Sequence, residues 1–195
     1  MSADASAHDP YVLPAGLPVP VDDGACAHLA GLSVPRLTLE SSRGPVDLAD
    51  LARERLVLYV YPRTGRPGLP PAAGWDAIPG ARGCTPQSCG FRDHAAELAE
   101  LGARVAGLSA QTLADQVEFA ERNRMPFPVI ADPELRLAAS LRLPTFDVEG
   151  MTLYKRLALV AERGSIENVF YPVFPPDRNA EEVVAWLRTR PPLVL

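Results

Sequence analysis

The chain has 195 residues, a formal net charge of −5 and a sequence pI of about 5.2, and 47% of it is hydrophobic. Such a length suits one domain that buries roughly 70% of its unfolded surface, while the acidic balance argues against nucleic acid or an anionic membrane surface as a partner. No apolar run approaches the ~20 residues that cross a bilayer, and three cysteines are too few, and odd in number, for a disulfide scaffold.

Residues 1–24 are rich in Pro, Ala and Asp and read as an arm, disordered or lying over a domain that occupies 25–195. The opening residues carry neither a basic segment nor an apolar core, so no signal peptide is expected and the implied setting is a reducing cytoplasm. A short helix is expected over 24–31. It holds Cys26, which has no partner in sequence and reads as a bystander. Residues 36–40 alternate as a strand, 41–45 are turn chemistry, and 46–51 form a helical turn. The nearly continuous apolar run 56–61 reads as a central strand buried on both faces. Pro62 ends it. From there to Gly83 the chain is dense in Pro and Gly, and so long an irregular loop inside a domain is usually functional; the alternative is a tolerated surface insertion.

The run 83–94 reads Gly-Cys-Thr-Pro-Gln-Ser-Cys-Gly-Phe-Arg-Asp-His, and an apolar-periodic stretch follows it to Leu101. Thr85 suits a helix cap, Pro86 suits the first turn, and nothing after Gly90 breaks a helix before Gly102. A thiol at a helix N-terminus faces unpaired N–H groups and the positive end of the macrodipole, which favour thiolate over thiol at Cys84. Cys89, a turn and a half further in, gains much less. An acidified cysteine followed by a less acidic one describes a nucleophile and its resolving partner. The spacing is neither Cys-x2-Cys nor a usual zinc knuckle, and a metal would need two further ligands, with only His94 near in sequence. No metal is expected, and two inert cysteines on one helix remain the bland alternative. His94 reads as a surface or half-buried side chain rather than a base.

Further along, 103–109 reads as a strand, 112–123 as an amphipathic helix, and 127–130 as a short strand. Pro133 is expected to open a helix to about Leu141. Residues 156–161 and 166–171 form a hairpin around Glu162, Arg163 and Gly164, and Asn179 caps a last helix over 180–188. Alternating strands and helices imply right-handed parallel crossovers, and the hairpin adds antiparallel strands. An α/β, thioredoxin-like fold, with a central mixed β-sheet and helices on both faces, fits that order.

The cysteine run resembles the peroxiredoxins, and within them the bacterioferritin-comigratory or Q-type branch, whose pattern is Pro-Gly-Cys-Thr-x4-Cys-x-Phe-Arg-Asp. Gly83, Cys84 and Thr85 match it, as do Cys89, Phe91, Arg92 and Asp93, and a looser likeness extends over 32–187. The resemblance implies a thiol peroxidase for hydrogen peroxide or organic hydroperoxides. Cys84 would attack, Cys89 would resolve the sulfenic acid as an intramolecular disulfide, and thioredoxin or a similar dithiol protein would return the electrons. It implies no cofactor, and a monomer or homodimer. The family's arginine on a strand just before the late hairpin falls on Arg156; Arg82 is a secondary candidate.

One feature of the family is missing. In the pattern Pro-x3-Thr/Ser-x2-Cys a hydroxyl orients the peroxide, but the corresponding positions are Ala77 and Ala81. Tyr61 and Pro62 look like the family's Tyr-Pro, separated from Cys84 by an insertion. Substrate-binding roles therefore pass to Pro62, Thr64 and Thr85. Since capping would occupy the Thr85 hydroxyl, Thr64 is expected beside Cys84 and Arg156. The missing hydroxyl leaves a thiol–disulfide oxidoreductase or redox sensor with the same cysteine pair as a rival; a non-enzymatic binding module is another, opposed by the intact pair.

Overall fold

In the computed structural model residues 9–191 are described, so the signal-peptide reading concerns residues outside them. In chain order the elements are β1 (Thr38–Ser41), β2 (Val46–Asp47), α1 (Leu48–Leu51), β3 (Arg55–Val60), α2 (Cys84–Asp93), α3 (Ala95–Glu100) and β4 (Ala103–Ser109). There follow α4 (Leu113–Arg122), β5 (Val129–Ala131), α5 (Arg136–Leu141), β6 (Thr145–Val148), β7 (Met151–Tyr154), β8 (Leu157–Glu162), β9 (Ser165–Phe170) and α6 (Asn179–Arg188).

Every residue of β3 is buried, because the strand lies between parallel β4 and antiparallel β8 with a packed layer on each face. The sheet runs β2-β1-β5-β4-β3-β8-β9, with β3, β4 and β5 parallel and the flanking strands antiparallel. Side chains of β3 alternate between two cores. Leu56, Leu58 and Val60 meet Leu48 of α1 and Leu137 and Leu141 of α5. Val57 and Tyr59 face the other way, with Tyr61, towards Phe91 of α2, Phe119 of α4 and Leu187 of α6. Tyr59 stacks on Phe91 with ring centroids 4.5 Å apart. Gly107 of β4 has to be glycine, since a Cβ there would lie 2.5 Å from the Tyr59 ring. The expected mixed sheet with helices on both faces is thus present, and among the described residues no helix is long and apolar enough to cross a membrane.

Several local expectations need correction. Residues 24–31 form successive turns rather than a helix, bounded by Gly24 and Gly31 at positive φ. The helix after Cys84 is two helices, since α2 stops at His94 (φ −97°, ψ 8°), whose Nδ1–H donates to the Gly90 carbonyl at 2.9 Å. Pro133 does not open α5; Leu135 sits at positive φ before it, and the Asp132 carboxylate takes the Arg136 and Leu137 amides at 2.9 Å each. Asn179 is the first residue of α6, not its cap, and its side chain is committed elsewhere. The hairpin of β6 and β7 was not expected. Its strands are short and follow Pro144, but Glu149 and Gly150, both at positive φ, make the two-residue turn that closes it.

The described part of the arm, 9–24, lies over the domain. Asp23 takes hydrogen bonds from Lys155 Nζ at 2.7 Å and Tyr171 OH at 2.8 Å, which hold its carboxyl down at about 2. The long loop folds onto β6–β7, where Trp75 packs on Phe146 and Leu153.

Candidate active site

Where the loop turns into α2, glycine is the cap. Gly83 has φ 101°, and a Cβ there would lie 2.3 Å from Pro176 Cγ and 2.7 Å from Leu13 Cδ2. No larger residue fits, so the chain enters the helix tightly, with Cys84 as its first residue. Thr85 is therefore not the cap. Its hydroxyl is buried and has no hydrogen-bond partner among the described residues. The first-turn N–H groups of α2, which no helical carbonyl can satisfy, point out at the same end.

Two N–H donors from elsewhere converge on the sulfur. Arg156 Nη2 lies 3.2 Å and the Arg63 amide 3.4 Å from Cys84 Sγ. The thiol proton, when present, is directed at the Ala81 carbonyl at 3.6 Å. Arg156 immediately precedes β8 and is 3% exposed, which rules out a solvated charge at a strand end. Its guanidinium is held on every side: Nε donates to the Gly80 carbonyl, Nη2 to those of Ala81 and Arg82, and Nη1 to Gln87 Oε1 at 2.5 Å. Gln87 is held in turn, its Nε2 donating to Asn179 Oδ1 at 2.9 Å. Sequence reasoning missed this relay from α6 through α2 to the arginine. Its trace is a glutamine three residues past the cysteine, on the buried face of a short helix.

The remaining candidates separate. Pro62 is buried at the exit of β3, next to the Arg63 amide that reaches the sulfur. The Thr64 hydroxyl, expected beside Cys84, donates to Gln111 Oε1 at 3.0 Å, and the Thr64 amide donates to the same oxygen at 2.8 Å. The loop does bring this corner to the cysteine, but through backbone one residue earlier. Arg82 turns its side chain towards the arm, with Nη2 donating to the Asp9 and Val12 carbonyls. Cys89 is half-buried, its Sγ–H 3.9 Å from Asn123 Oδ1, and burial pushes its thiol above the ordinary value. Cys26 is buried, and burial pushes it up to about 12. All three cysteines are free thiols, and among the described residues no cluster of His, Cys, Asp and Glu could hold a metal.

Comparison with known proteins places this geometry in a family. The model of the Redoxin family matches residues 29–184. A chloroplastic peroxiredoxin Q from Sedum lineare is 25% identical over 160 residues, which cover 82% of this chain and 77% of the relative. Peroxiredoxin Bcp from Bacillus subtilis is 28% identical over 156 residues, covering 77% of this chain and 90% of that one. Among solved structures, peroxidoxin BcpB from Mycobacterium tuberculosis superposes with a TM-score of 0.67 at 28% identity, over 84% of this chain and 99% of that one. A Xylella fastidiosa PrxQ variant, at 19% identity and a TM-score of 0.66, shares the fold over 83% of this chain and 97% of its own. The chain belongs to the Redoxin family, and within it to the peroxiredoxins of the Q/Bcp branch, which makes it a thiol-dependent peroxidase of the oxidoreductase class.

Proposed function

We propose that the catalytic cycle runs within one chain on Cys84 and Cys89. The Cys84 thiolate attacks the terminal oxygen of hydrogen peroxide or an organic hydroperoxide. The O–O bond breaks, water or alcohol leaves after taking up a proton, and the sulfur, oxidised by two electrons, becomes a sulfenic acid. Cys89 attacks that sulfur, the S–O bond breaks, water leaves, and a disulfide joins the two cysteines. A dithiol protein, thioredoxin or one like it, returns two electrons and two protons. No cofactor takes part.

The observation that carries this reading is the pair of fixed N–H donors, Arg156 Nη2 and the Arg63 amide, within 3.4 Å of Cys84 Sγ. Charge spreads along S–O–O as the peroxide bond breaks, and donors already in place need no reorganisation to stabilise it. Thr85 supplies the hydroxyl that the family pattern puts at the position of Ala81; being free of capping, it can bond to the peroxide. Pro62 and Thr64 act one step away, fixing the strand exit that aims the Arg63 amide. The enzyme is one domain over 25–195 with the arm 1–24, a monomer or homodimer working in the cytoplasm without nucleic acid or membrane.

The absence of a hydroxyl at Ala81 favours one rival, a thiol–disulfide oxidoreductase or redox sensor using the same pair. Peroxide consumption coupled to a thioredoxin system decides between them. Turnover that depends on both Cys84 and Cys89, with a disulfide between them seen by mass spectrometry, is the expected result. Slow peroxide consumption with fast reduction of protein disulfides would favour the rival.

A further inference from the structure

The recess over Cys84 holds about 20 Å³, room for little more than one water-sized molecule. It opens beside a cleft of about 430 Å³ that shares Arg63, Gly65 and Trp75 with it. We propose that this cleft binds the organic part of hydroperoxides that carry a carboxylate, and that the Arg63 guanidinium binds the carboxylate. The proposal rests on the peroxidase reading above and names the substrate class of that site.

The apolar side of the cleft comes from the inserted loop, with Leu69, Pro70 and Trp75 along it. The insertion that displaces the family's hydroxyl thus builds a wall for a substrate larger than hydrogen peroxide. Four charged side chains line the cleft, and neither Arg63 nor Glu149 meets an opposite charge among the described residues. Arg66 pairs with Asp115 at 3.1 Å, and Glu149 accepts the Ala73 amide at 2.9 Å. Arg63 is exposed and, among the described residues, meets no carboxylate; its Nη1 rests on the Met151 sulfur at 2.8 Å. A thioether is a weak acceptor, easily displaced by a carboxylate that fits the guanidinium fork. The same residue donates its backbone N–H to Cys84 Sγ. A cation fixed to the backbone that touches the nucleophile can read an acid group a few bonds from the O–O bond.

A matched pair of substrates tests this: cumene hydroperoxide and its para-carboxylate, which differ only in the acid group. The readout is the ratio of their second-order rate constants for Cys84 oxidation, which a general loss of activity leaves unmoved. The wild type is expected to prefer the carboxylate about five-fold, the worth of one partly exposed ion pair. Arg63→Gln should bring the ratio to about one, and Arg63→Glu should reverse it. An equal ratio in the wild type, or a ratio unchanged in both variants, overturns the proposal. Binding is followed separately through Trp75 fluorescence in Cys84→Ser, with the para-carboxylate of the product alcohol as ligand. Should peroxide turnover fail altogether, saturable quenching lost in Arg63→Gln would still uphold the binding site, and no quenching would overturn it.

Discussion

The guanidinium of Arg156 binds three backbone carbonyls, Gln87 and the reactive sulfur at once. Its charge is buried, and lysine cannot reproduce its planar fork. Arg156→Lys should lower the rate constant of Cys84 oxidation by on the order of ten- to a hundred-fold, the worth of one lost hydrogen bond to a charged group; stopped-flow fluorescence with hydrogen peroxide measures it. Thr85→Val should cost a similar factor while Thr64→Val costs little, because the Thr85 hydroxyl is uncommitted and the Thr64 hydroxyl donates to Gln111. A reversed order in the same experiment would return the role to Thr64. The cysteines should also part company. Cys84→Ser abolishes turnover, and Cys89→Ser leaves a sulfenic acid that over-oxidises. Cys26→Ser changes little. Raised from 9.0 to about 12, the Cys26 thiol stays neutral where an unfolded one ionises. The stability that goes with this is complete below 9.0 and is lost as pH rises towards 12. Alkaline unfolding of the wild type against Cys26→Ser, with the variant holding its stability better at high pH, is the check.

At the level of elements, α2 has to open for the chemistry proposed here. Residues five apart in an ideal helix rise ~7.5 Å, which separates their Cα atoms by roughly 8–9 Å, and a disulfide needs less than ~7 Å. The oxidised protein should exchange its amides from Cys84 to Phe91 much faster than the reduced one; equal protection in both states would sink the intramolecular disulfide. Gly90 favours the opened segment, although a Cβ there would also stand only 3.3 Å from the Asp177 carbonyl, so helix packing asks for glycine as well. The arm works against opening. Leu13 packs on Gly83, Arg82 holds the Asp9 and Val12 carbonyls, and Tyr11 OH accepts from Arg122 Nη1 at 2.8 Å. Tyr11→Ala combined with Leu13→Ala should speed disulfide formation after peroxide is added, with the first oxidation step little changed. Rapid-quench mass spectrometry separates the two steps.

At the scale of the whole molecule, a buried ion pair ties three segments of the chain together. Arg55, 1% exposed, pairs with Glu162 at 2.9 Å and donates to the Leu101 carbonyl at 2.6 Å, tying the start of β3 to β8 and to the turn after α3. Removing one partner of such a buried pair costs about 3 kcal/mol. Arg55→Ala should therefore lower the melting temperature by roughly 10 °C, with the peroxide ratio of the matched substrates unaltered. Calorimetry on reduced protein is the measurement.

What the residues determined by themselves is whatever depends on near neighbours along the chain. The buried run 56–61, the amphipathic stretch that became α4, and the cysteine pair on one helix all follow from spacing and side-chain type, and the packing agreed with them. The corrections come where a distant partner outbid a local preference. Thr85 is a fit cap in isolation, but Pro176 and Leu13 crowd the preceding residue so closely that only a left-handed glycine fits, and the cap passes to Gly83. Asn179 would cap α6, but Gln87 of α2 takes its oxygen. The expectation at Thr64 rests on its place at the strand exit and on a capping role for Thr85; Gln111, 47 positions away, takes the Thr64 amide and hydroxyl, and the Arg63 amide reaches the sulfur. Backbone amides carry no sequence signature, and neither does the cleft, which exists only once the loop has folded onto the hairpin of β6 and β7. Spacing along the chain names the nucleophile; only packing across it decides which donors surround the sulfur.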